Sequence, residues 1–394
     1  MPSLSLGKGT LLGIGYIKVT ADTSEAESKL SGFSKGALAL GASGFLALTA
    51  AGAASVKMAS DFGNQMLKIQ TQAGGSAADV KTLSNQILSM KDVQQSPMQL
   101  AEAMYHLKSV GMDNVDAMKN LKVASDLAAV GGSDLEATTN ALAGAWRSGI
   151  KGAQTFSMAA GTVNAIIGAG NMTMSQFVSA IGTGILPAAK TFGIGLDQVG
   201  ASLALMTDEG VPAQEAATRL KTSISLLAAP SGAASKQLKT IGLTGLELAN
   251  TMRGPTGLVG AIQLLHDHLD AAGLSASQQG ILLSKAFGGG RSSAAIMTMV
   301  NNVDVLQGKL KQVDSSAGQL PSAIAAQQAT LSAQFAILKN NLEDLGIRVG
   351  SALIGPITAF VSFLNSMALP AISQFAAALS KPLAGVGQAV SGLA

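Results

Sequence analysis

The sequence predicts an all-α protein built from short helical hairpins in series. Three observations carry this. Apolar residues recur at three- and four-residue spacing along most of the chain. From Ser76 to about Thr240 a helix repeatedly closes on Gly and the next opens on a capping residue one or two positions later. The composition is 47% hydrophobic but only 4% aromatic, so the core must be made of Ala, Leu, Ile, Val and Met.

The elements follow in order. Gly13–Thr20, with Ile14, Tyr16 and Ile17, is a candidate short N-terminal strand. The first twenty residues lack the cleavage site of a signal peptide. Asp22 to Glu25 has the spacing of a helix start. Gly36–Val56 carries no charge, and this helix is expected to continue to Gln72 and stop at Gly74-Gly75. Punctuation then falls at Gly111-Met112-Asp113, Gly132-Ser133, Gly170 to Thr173, Gly193 to Asp197 and Gly210-Val211-Pro212. Capping boxes are expected at Ser96 to Gln99, Ser133 to Glu136 and Thr173 to Gln176, with Pro97 at a first helical position. Leu100, Met104, Leu107 and Val110 share one helix face, as do Leu135, Leu142 and Trp146, and Val199, Leu203 and Met206.

After Pro230, helices are expected near Ser235–Ile241, Leu258–Ala271, Ser275–Phe287 and Arg291–Val300. Met299, Val303, Leu306, Leu310 and Val313 then alternate four and three. A second register runs Leu331, Phe335, Leu338, Leu342, Leu345, Val349. This is a coiled-coil seam of roughly three heptads, broken near Gln327-Gln328. Val349–Ser380 is uncharged and rich in Leu, Ile, Phe and Val, with Pro356 and Pro370 marking breaks. It reads either as buried bundle helix or as a segment for membrane insertion or self-association. Four regions result: 1–56, an N-terminal strand and uncharged helix; 57–300, a helical core; 301–348, coiled-coil-like helices; and 349–394, a hydrophobic C-terminal segment.

Little in this chain points to reaction chemistry. It has no Cys, which excludes disulfides, thiolate metal ligands and thiol catalysis. Lys and Arg number 26 against 23 Asp and Glu, and they are scattered, without the basic stripe of a nucleic-acid binder. The three His are His106, His266 and His268. The last two lie two apart on a helix and so point to different faces, which makes them solvated or structural residues. Gly13-Ile14-Gly15 and Gly193-Ile194-Gly195 start a dinucleotide loop that neither completes. Gly288 to Ser293 lacks the Lys-Ser/Thr ending of a P-loop. Asp113 with Asp116, and Glu343 with Asp344, have no spacing that sets two carboxylates across a substrate. No catalytic, cofactor or metal residues are expected, and no enzyme activity.

Leu186–Leu227 carries a resemblance. Its residues are Leu186-Pro187-Ala188-Ala189, Phe192-Gly193-Ile194, Leu203 to Met206, Asp208-Glu209-Gly210-Val211, Ala216 to Lys221 and Leu226-Leu227. In this order and spacing the segment resembles the core of phage tail tape measure proteins. Val56 to Phe62, Gly111, Leu127 to Ala129, Leu135 to Ala137, Ala286-Phe287-Gly288 with Arg291, and Leu331–Ser351 extend the likeness over residues 56–351. The resemblance implies a structural virion component in the tail tube lumen that templates tail assembly and length, without catalysis. It implies the major tail tube protein, tail assembly chaperones and tail tip proteins as partners, and assistance to DNA at the host membrane. The seam allows self-association as a trimer or hexamer. Family members are often far longer, so a truncated or prophage form, a short tail, or a measuring segment elsewhere is expected. The alternative reading is a membrane-active, channel-like protein, resting on Gly36–Val56 and Val349–Ser380.

Overall fold

The computed structural model describes residues 41–363 and Ser366. The candidate strand Gly13–Thr20, the charge-free residues 36–40 and half of Val349–Ser380 lie outside them. Among the described residues every regular element is helical, as the spacing predicts. The chain forms two units, Met58–Arg348 and a second made of Met1–Lys57 with Val349–Ala394.

In chain order the helices begin with α1 (Gly41–Gln72), α2 (Ala77–Ile87), α3 (Pro97–Ser109), α4 (Asn114–Gly131), α5 (Leu135–Ser148) and α6 (Phe156–Ala169). The middle of the chain forms α7 (Met174–Ile181), α8 (Ile185–Thr191), α9 (Leu196–Asp208), α10 (Ala213–Ala228), α11 (Gly232–Lys239) and α12 (Gly245–Arg253). The last are α13 (Gly257–Ala271), α14 (Ala276–Phe287), α15 (Arg291–Asn301), α16 (Val303–Ser316), α17 (Leu320–Gln328) and α18 (Leu331–Phe363).

Capping explains where most of them start. Ser96 and Thr173 form the expected reciprocal boxes with Gln99 and Gln176, and Ser76 and Ser275 add two more with Asp79 and Gln278. At α5 the cap stands one residue later than the box spacing predicts. The Asp134 carboxylate accepts from Ala137 N at 2.8 Å, while the Ser133 hydroxyl bonds Thr138 instead. Gly132 (φ 58°) and the bond from Ser133 N to Ala128 O close α4 first, which leaves Asp134 at the mouth of the next helix. Pro356 does not break its helix. It lies inside α18, at the cost of one backbone hydrogen bond.

The core of the Met58–Arg348 unit is organised around α9. Every residue from Leu196 to Thr207 is buried, so this helix must be clothed on all sides. It packs against α6, α10 and α16. Small residues make that possible. Gly200 lies where a Cβ would overlap the Ile166 side chain of α6. Three of the buried polar side chains of α9, Gln198, Ser202 and Thr207, are hydrogen-bonded, whereas Asp197 Oδ1 is buried without a hydrogen-bond partner. Ser202 and Thr207 hydroxyls donate to carbonyls within α9, at Gln198 (2.8 Å) and Ala204 (3.0 Å). Gln198 reaches across to α13. Its Oε1 accepts from Leu258 N at 2.7 Å and its Nε2 donates to Thr256 O at 3.3 Å. Thr256 itself supplies no side-chain cap, so the N-terminus of α13 is capped from another helix.

The first four-three register is spent inside this unit. Met299, Val303, Leu306 and Val313 are buried, and α16 lies across α9 and α6. Lys309 fixes it there, pairing with the Asp208 carboxylate and donating to Ala169 O at the end of α6.

Candidate functional site: an exposed apolar helix face

The residues with chemical potential act as staples. His106 Nε2 lies 2.7 Å from Glu136, and its ring meets Tyr105 edge-on. His266 contacts Val300 O at 3.1 Å through Nδ1 and Asp270 at 3.2 Å through Nε2. His268 Nδ1 lies 3.0 Å from Ile241 O. The two neighbouring His thus tie α13 to different segments and do not converge. Among the described residues no group of three or more His, Asp or Glu is placed to hold a metal ion.

The glycine loops are turns. Ile194 is buried, Gly195 caps α9, and Leu196 N donates to Lys151 O at 2.8 Å. The buried Asp197 carboxylate, 3.4 Å from Lys151 Nζ, occupies the first turn of α9. A negative charge there opposes a phosphate. Gly13-Ile14-Gly15 lies outside the described residues. At Gly288 to Ser293 the chain turns from α14 into α15, and Ser293 Oγ donates back to Gly290 O at 3.2 Å. The cleft beside it is lined by Glu209, again the wrong charge for an anion. Asp113 caps α4 by accepting from Asp116 N at 2.8 Å.

Several carboxylates are displaced from their ordinary range without forming a reaction centre. Burial raises Glu102, helped by Glu136 and Asp134. Burial also raises Asp126 against the opposing bond from Lys122, and Asp314 with help from Asp197. Asp344 is pushed up to about 6 by desolvation, against the attraction of Arg348. One of its oxygens is buried without a hydrogen-bond partner.

The surface feature that stands out is the part of α18 within the Met58–Arg348 unit. Its docked edge is poor in apolar material. Ala333, Asn340 and Ile347 are buried at seven-residue spacing, with Asp344 half-buried beside them. Polar bonds hold that edge to the segment after α2. Asn340 donates to Val93 O at 3.0 Å, and Arg348 to Leu88 O at 2.5 Å and to Ser89 Oγ at 3.0 Å. Gln328 of α17 donates to Asp92 O at 3.4 Å. These bonds join residues more than 230 apart, and no local pattern announces them. The opposite face holds the second seam in the open. Leu331 is 72% exposed, Phe335 62%, Leu338 54%, Leu342 61% and Leu345 58%. Phe335, Leu338 and Leu342 line a shallow groove with Met58 of α1.

Among the described residues no helix is long and apolar enough to cross a membrane.

Comparison with known proteins gives a consistent set of likenesses. Residues 84–288 match the family described as phage-related minor tail protein, a span centred on the α9 core. Over 225 residues, 55% of this chain, the sequence is 29% identical to the tape measure protein of Pneumococcus phage Dp-1. Over 354 residues, 86% of this chain, it is 25% identical to the probable tape measure protein of Clostridium phage phiCD119. The matched regions span only 19% and 36% of those two relatives. No solved structure matches the chain.

Proposed function

Since this chain belongs to the phage-related minor tail protein family and is similar to two phage tape measure proteins, we propose that it is a structural tape measure component of a phage tail. In this reading it occupies the lumen of the tail tube and templates assembly and length as tube subunits polymerise around it. It leaves the tube at infection and assists DNA on its way into the host. Its partners are the major tail tube protein, tail assembly chaperones, tail tip proteins and further copies of itself, as a trimer or hexamer. It works by shape and packing, without catalytic, cofactor or metal residues.

The observation that carries the proposal is the family match on residues 84–288, which include α9 and two of the helices packed against it, α6 and α10. The membrane-active alternative has no described helix of the needed length and apolarity to rest on. Cryo-microscopy of the parent virion tests the location. Helical density for this chain inside the tube is expected, and an empty lumen in mature, uninfecting tails would overturn it.

A further inference from the structure

Along residues 331–348, α18 docks by the edge that has least to bury. Ala333, Asn340 and Ile347 are buried there and Ile337 is half-buried. Phe335, Leu338, Leu342 and Leu345 stay mostly exposed and contribute little to docking. In α9, by contrast, every residue from Leu196 to Thr207 is buried. Apolar stabilisation scales with the area removed from water, so α18 is held far more weakly than α9. One group opposes docking outright: an Asp344 carboxylate oxygen is buried with no hydrogen-bond partner, which costs free energy that water would return. We infer that residues 331–348 form a releasable strap, which undocks as one piece about Ala329-Thr330 while the α9 core stays folded.

The strap's polar bonds go to a strained loop. Residues 88–93, between α2 and α3, are irregular, and the carbonyls of Leu88, Asp92 and Val93 take their donors from Arg348, Gln328 and Asn340. Lys122 gives Asp92 O a second donor at 3.3 Å. Among the described residues Asp92 is the one non-Gly residue in the left-handed region, with φ 58°, a conformation that costs free energy in a residue with a Cβ. The loop gains by relaxing once those donors leave, and water satisfies its carbonyls. Both sides of the contact thus have an open arrangement within reach. The hinge is supplied by sequence. Thr330 Oγ1 accepts from Ala333 N at 3.2 Å, so α18 keeps its own cap when it leaves. Behind the hinge α17 stays, because Leu320 is buried and the helix packs on α4 and α6. Released, residues 331–348 form an arm of roughly 27 Å at 1.5 Å per residue. The inference does not depend on the tail role.

Thiol labelling of the full chain tests it. The chain has no Cys, so any reaction reports an introduced residue. Ala333→Cys and Ile347→Cys place a thiol at the two buried ends of the docked edge, and Ala201→Cys places one in α9, where Ala201 is fully buried. Under native conditions the labelling rate follows the population of opened molecules. Positions 333 and 347 should react at similar rates, each at least ~100-fold faster than position 201. Adding Asn340→Ala or Arg348→Met, which strips a donor from Val93 O or Leu88 O, should speed labelling at 333 about tenfold and leave 201 unchanged. Protection at 333 equal to that at 201 overturns the strap. So does acceleration at both sites, since α18 then leaves only with the whole fold. Fast labelling at 347 with full protection at 333 overturns release as one piece. If Ala201→Cys does not fold, Ala216→Cys of α10, equally buried, serves as the core reference.

Discussion

Gln198 shows how much one side chain contributes when it serves two helices. It sits in the buried first turn of α9 and caps α13 from 60 residues away. Replacing it by Met keeps the volume and leaves Leu258 N without its acceptor. A buried unsatisfied donor costs about 1–3 kcal/mol, so Gln198→Met should lower stability in urea denaturation by about that amount, with early exchange of amides 257–260. Asp344 behaves in the opposite sense. Its folded pKa of about 6 lies above the ordinary value of 3.8, so the folded state binds the proton more tightly than the unfolded chain. Its favourable contribution is present below the ordinary value and is lost as pH rises through about 6. Asp344→Asn should therefore raise the melting temperature at pH 7.5 and change it little at pH 4. An equal effect at both pH values would contradict the assignment. Neither role is visible in the sequence. Gln198 looks like any polar residue in a helix start, and Asp344 looks like half of an acidic pair, because burial comes from segments far away in the chain.

At the scale of elements, the helices and most of their starts were legible, because caps and Gly turns are local chemistry. Ser96, Thr173 and Asp113 cap where spacing predicts. The helix Gly245–Arg253 is not among those the spacing predicts, although Thr244 caps it by accepting from Glu247 N at 3.1 Å. The Thr-x-x-Glu signal is present there, beside a Gly-rich run that reads as loop. Spacing alone could not separate the two four-three registers. Val303, Leu306 and Val313 are buried because α16 lies across α6 and α9, and Leu331, Phe335, Leu338, Leu342 and Leu345 are exposed because α18 docks by its other edge. The approach of α16 depends on Gly161 of α6, where a Cβ would overlap the Ala317 carbonyl in the turn after α16. A backbone atom cannot rotate away. Gly161→Ala should therefore destabilise by about 1–3 kcal/mol, despite a helix-propensity gain of about 1 kcal/mol. Ala at a solvent-facing Gly such as Gly144, with open space around it, should stabilise instead. Chemical denaturation of the two variants side by side gives the comparison.

For the whole molecule, the all-α class and the family were both readable from the sequence, because the family's motifs are helix-and-turn patterns rather than reactive residues. The same property hides the site. A surface that works by shape leaves no titratable signature, and only the exposure of Phe335, Leu338, Leu342 and Leu345 distinguishes it from core. A tape measure component acting by length and packing depends on no single functional group. Substituting His106, His266 or His268 by Gln should cost stability but leave phage infectivity intact wherever the protein still folds, as plaque counts on the complemented phage would show. A structural role in the tail shows itself in tail length. In-frame deletion of whole helical hairpins from the parent gene, with electron microscopy of the progeny, should give shorter tails of uniform length. Tails of unchanged length from a stably expressed deletion variant would contradict it.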